Sequence, residues 1–141
     1  MRFNNKIAYL IGWDHASDEP RINWTEHLGA ARVGLMNLGF KDEDITMVRT
    51  EDERIPDFEK AEVERIIKAT SLERVDDEDK TFVVLYFKGP CRVRDGCVEG
   101  VSKYSSSRTV ALEGFLRRIA QEKTVYALGL FDCCRKDQEG N

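Results

Sequence analysis

The segment Thr81-Phe-Val-Val-Leu-Tyr-Phe87 carries no charge and is built almost wholly from β-branched and aromatic residues, which pack well on a pleated, half-buried surface. It is the strongest strand signal in the chain. A near-continuous apolar run, Ile7-Ala-Tyr-Leu-Ile-Gly12, lies within residues 6–13. It has the character of a strand buried on both faces of a parallel sheet, not the alternation of a half-exposed one. Ile45 to Arg49 and Tyr126 to Phe131 complete a set of four expected strands.

Parallel strands need crossovers, and the intervening sequence supplies helices. Asn23 and Glu26 form a capping-box pattern ahead of Leu28, Ala31, Leu35 and Leu38, which share one helical face, and Gly39 stands at the C-terminal stop. Pro56 suits the opening of a second helix carrying Phe58, Ala61, Ile66 and Ile67. The acidic run Asp76-Asp-Glu-Asp79 reads as a solvated loop. Leu112, Phe115, Leu116 and Ile119 fall at i, i+3, i+4 and i+7 and predict a third helix facing a core. Between them, Lys88 to Ser107 is irregular, and Asp95-Gly96 marks the tight turn of a small hairpin. The alternation of strand and helix gives an α/β fold with a parallel sheet and helices on both faces.

A chain of 141 residues holds one core, so residues 1–141 are read as a single domain. The formal net charge of -4 argues against general nucleic-acid binding. No apolar run approaches the length of a membrane span, and Met1 to Lys6 lacks the apolar core of a signal peptide. A cytoplasmic protein is expected, a nuclear one being the other compartment open. In such a reducing setting the four cysteines, Cys91, Cys97, Cys133 and Cys134, are expected as free or buried thiols, not a disulfide framework. All four follow the third and fourth strands, but C-x5-C with an adjacent pair is not a usual zinc-ligand spacing. No metal and no cofactor is expected.

Cys134 is the residue with the most chemistry. It follows an apolar strand in Phe131-Asp-Cys-Cys-Arg-Lys136, and ligands of open α/β sheets bind beyond the carboxyl ends of the strands. The cations Lys88, Arg92, Arg94, Arg135 and Lys136 gather around the same expected edge. They are either a positive rim suited to an acidic peptide or ordinary loop charges.

Tyr9-Leu-Ile-Gly12, the helix closing in Leu38-Gly-Phe40, Val84-Leu-Tyr-Phe-Lys-Gly89, Asp95-Gly96 and Phe131 to Lys136 together resemble the caspase-like cysteine peptidases, closest to the paracaspase and metacaspase branches. The resemblance covers only the part that corresponds to the large catalytic subunit; the small-subunit region has no counterpart. It implies a three-layer sandwich with main-strand order 2-1-3-4 and a small hairpin after the third strand. It puts Cys134 at the nucleophile position, next to Asp132, and Arg135 and Lys136 would favour its thiolate. The family's histidine sits in a Gly-His-Gly turn after the third strand, where this chain has Gly89 and then Pro90, a residue with no side-chain base. The acid that binds a basic substrate side chain corresponds to His27, with Glu26 beside it.

Two departures at two functional positions imply a domain that does not cleave and works by binding protein. The expected partner is a second copy or an active relative docked along the open edge of the fourth strand. The alternative left open is a cysteine endopeptidase with Cys134 as nucleophile and either a non-standard base or a completing second chain. His15, in the loop after the first strand, and His27 are the two histidines; both read as surface or rim residues.

Overall fold

The computed structural model describes residues 3–12, 24–49, 64, 80–101, 109–110, 112–121 and 124–135. Its strands are β1 (Asn5–Gly12), β2 (Ile45–Arg49), β3 (Thr81–Arg94), β4 (Cys97–Val101), β5 (Thr109–Val110) and β6 (Val125–Arg135). Among the described residues the helical elements with full bounds are α1 (Trp24–Asn37) and α2 (Leu112–Ile119), with a 3-10 turn at Asp42–Asp44. Of the expected helix opening at Pro56 only Glu64 is described, and it is helical; the loop holding His15, the acidic run at 76–79 and Lys136 lie outside the described residues.

Four strands run parallel in the order β2-β1-β3-β6, with β3 between β1 and β6. Strands buried on both faces explain the unbroken apolar runs. Tyr9, Ile11, Val83, Leu85 and Phe87 on one side form a core with Leu112, Phe115 and Ile119 of α2. The alternate residues Ala8 and Val84 form a second cluster with Phe40, against which Leu35 of α1 packs. Helices therefore cover both faces of the sheet. Leu28 of α1 is buried and sits against Gly12, where a Cβ would lie 2.9 Å from its Cδ1.

The expected glycine stop of α1 is a Schellman cap. Gly39 has φ +95°, its N–H donates to Met36 O at 3.0 Å, and the N–H of Phe40 donates to Leu35 O at 3.0 Å. Phe40 then packs with Leu35, the apolar contact that accompanies this motif. Leu38 is a correction: it was expected on the buried face but is 69% exposed. The helix ends at Asn37, so Leu38 lies in the turn, outside the helical period. Its carbonyl instead accepts a hydrogen bond from Lys6 Nζ at 3.1 Å, a cation at a helix C-terminus.

The hairpin turns at Asp95-Gly96, with φ of 52° and 77° and Arg94 paired to Cys97. Positive φ at both central residues is the two-residue hairpin geometry whose twist matches the flanking strands. The strand leading into it is longer than expected. Gly89 and Pro90, read as a turn after the third strand, lie inside β3, which continues to Arg94. β6 extends likewise through Arg135, so Asp132, Cys133 and Cys134 belong to the strand and do not follow it.

The pairing gives the physical reason. β3 and β6 stay in register as far as Cys91 and Arg135. On its other flank β3 pairs with β1 as far as Lys88 and resumes with β4 at Cys91. Pro90 falls in that gap in the ladder, where a missing N–H costs least.

Candidate functional site

At the carboxyl edge of the parallel sheet, β3 and β6 bring the sequence-predicted residues together in matched rows. Lys88 stands in register with Asp132, Gly89 with Cys133, Pro90 with Cys134, and Cys91 with Arg135. The position expected to lack its histidine is thus directly beside the expected nucleophile position. Gly89 is buried within the strand.

Lys88 is the hub of this edge. Its side chain is only 14% exposed and its Nζ lies 3.2 Å from Asp132 Oδ2. The same ammonium donates to His27 Nδ1 at 2.9 Å, which joins α1 to β3 across the top of the sheet. An ammonium has only donors, so Nδ1 is the acceptor in this contact and its lone pair is engaged by Lys88.

Sequence reasoning placed Lys88 only among the rim cations. The signal for its larger part was the equal offset of Lys88 and Asp132 from the ends of two apolar runs, Phe87 and Phe131, which the sheet sets side by side.

The expected cationic rim is reduced. Arg92 pairs with Glu99 across the hairpin, and Lys88 is neutralised by Asp132. Arg94 is exposed near the tip of the hairpin, opposite Cys97. Arg135 closes β6, and Glu26 lies in the first turn of α1. Cross-strand and same-edge pairing removes much of the positive field that a count of cations suggested.

The cysteines depart from expectation too. Cys97 is a free thiol, but Cys91 is disulfide-bonded. A bridged sulfur is no thiolate ligand, so the four cysteines together cannot serve as a zinc set in this state. Among the described residues no group of three or more His, Cys, Asp or Glu side chains is arranged to hold a metal ion. No described helix is long and apolar enough to cross a membrane.

On the outer side of β6, among the described residues, no strand pairs. Tyr126, Leu128 and Leu130 are 37%, 43% and 46% exposed. Phe3 lies against Phe82 and Tyr126, with ring centroids 5.1 and 5.5 Å apart, and covers the beginning of this row. The strand therefore offers both an open backbone edge and an apolar row ending in Asp132.

Compared with models of known families and with curated proteins, the chain matches none.

Proposed function

We propose that this chain is a caspase-like domain that does not cleave peptides and acts by binding another protein. The observation that carries the reading is the register of Pro90 with Cys134. Where a neighbouring strand would have to offer the thiol a proton acceptor, it offers a ring without one. His27, the one described histidine, gives its Nδ1 lone pair to Lys88. Loss of a general base typically costs a factor of 10² to 10⁴ in rate. A thiol without a partner base is only a few per cent ionised at neutral pH.

The binding half of the reading rests on β6. Its free edge and the exposed Leu128 and Leu130 suit a partner chain that adds a strand to the sheet, with main-chain hydrogen bonds giving affinity and the apolar row giving selectivity. Through such binding the domain would regulate or scaffold a protease or a cell-death or immune signalling assembly, its partner being a second copy of the chain or an active relative.

The decisive measurement is peptide cleavage by the purified protein against fluorogenic substrates with basic and with acidic residues before the scissile bond. Turnover indistinguishable between the wild type and Cys134→Ser is expected. Cleavage that the substitution abolishes would overturn the reading in favour of a cysteine endopeptidase with a non-standard base.

A further inference from the structure

Burial alternates along β6 without a break. Tyr126, Leu128, Leu130 and Asp132 are exposed, and Val125, Ala127, Gly129 and Phe131 between them are buried or half-buried. The three apolar members of the exposed row are evenly spaced about Leu128, and the charge stands at one end. Such a row is its own complement. In an antiparallel pair, residues directly opposite each other lie on the same face, so a two-fold axis at Leu128 sets Leu128 against Leu128 and Tyr126 against Leu130 of another copy. Every apolar member then meets an apolar partner, including two aromatic-to-aliphatic pairs of the kind that stabilise sheets. Asp132 falls opposite Thr124, outside the row, and the two carboxylates stand about 26 Å apart along the strand direction. Moving the axis to Gly129 sets Tyr126 against Asp132, and moving it to Leu130 sets Leu128 against Asp132. Both place a carboxylate opposite a member of the apolar row.

The far edge of the parallel sheet argues against an open-ended assembly. β2 has five residues against eleven in β6, and its Ile45, Thr46 and Met47 are half-buried, so it matches neither the length nor the exposure of the row. A β6-to-β2 contact would be heterologous and would propagate as a filament, whereas β6 paired with itself closes after two copies.

We propose, on the binding half of the function proposed above, that β6 pairs with β6 of a second copy, antiparallel about a two-fold axis at Leu128, and joins the two parallel sheets into one. The area sets the strength of the contact. Tyr126, Leu128 and Leu130 are each less than half exposed, and a large side chain buries roughly 150–250 Å², so two copies remove on the order of 600 Å² of side chain from water. That is below the roughly 1,200–2,000 Å² of a standard stable interface, and the dimer is therefore a reversible one that forms as concentration rises.

The test is sedimentation velocity of the full chain over a concentration series, with variants at the axis. The wild type should pass from one copy to two between about 1 μM and 1 mM. Leu128→Lys and Leu128→Glu should each stay single over that range, and their equimolar mixture should recover the dimer, because a residue on the axis faces itself and opposite charges then meet. A wild type that stays single throughout, a dimer that Leu128→Lys leaves intact, or charge variants whose mixture stays single although each retains the wild-type circular dichroism would overturn the second copy as partner. The wild-type series does not depend on any variant folding. A strand supplied by a different protein gives the single-copy outcome and leaves the binding reading standing, whereas Cys134-dependent cleavage defeats the non-cleaving reading whatever mass the chain shows.

Discussion

Gly100 has no side chain because Phe87 occupies the space. A Cβ there would lie 2.7 Å from both Cε2 and Cζ of a ring that is itself fully buried in the main core. Gly100 lies on β4 opposite Cys91, so the ring closes the core just below the bridged cysteine. Backbone displacement or ring rotation is needed to admit a methyl group, at a typical cost for overpacking of about 1–3 kcal/mol. Gly100→Ala should lower the urea midpoint with an unchanged m-value; an unaltered midpoint would mean that Phe87 has room to move. Lys88 illustrates a residue whose part depends on its surroundings. Its ammonium is shared between Asp132 and His27, and nothing in Phe87-Lys-Gly89 taken alone distinguishes such a lysine from a solvated one.

The elements carry the most legible information. Gly39 at φ +95° with two hydrogen bonds back to Met36 and Leu35 is a cap in which an L-residue is strained, so Gly39→Ala should destabilise the protein by about 1–2 kcal/mol. Chemical denaturation of the two proteins side by side measures it, and equal midpoints would contradict the cap. That glycine and the Asp95-Gly96 turn were readable because backbone conformations with positive φ restrict residue choice. The cores of β1, β2 and β3 and the α2 stripe were readable because burial on one or two faces leaves a periodic trace.

The strand ends were not readable. Polar letters such as Asp132 suggested that β6 had stopped, but pairing depends on the neighbouring backbone, and β3 continued alongside it. Proline and glycine at 89–90 likewise read as a turn, because the gap in the ladder that accommodates them exists only once β1 and β4 have both been placed on one flank of β3. The site inherited this limit. Cys134 and Pro90 were singled out in the sequence, but their side-by-side register and the engagement of His27 by Lys88 come from three elements distant in sequence. The disulfide at Cys91 was hidden for a different reason, since the expectation of free thiols came from the presumed compartment and not from the spacing.

For the molecule as a whole, β6 is the outer strand of the parallel sheet among the described residues. Its outer flank remains unpaired among the described residues. In a strand paired on one side, successive amides alternate between a ladder hydrogen bond and water. Deuterium uptake along Val125–Arg135 should therefore have a two-residue rhythm, with every second amide labelling early, while the amides of β3 between Thr81 and Lys88, flanked on both sides, label late. Uniform uptake along β6 would contradict an open edge. That rhythm makes the strand a built-in reporter: a partner that adds a strand silences the early amides, and one that docks elsewhere leaves the alternation intact.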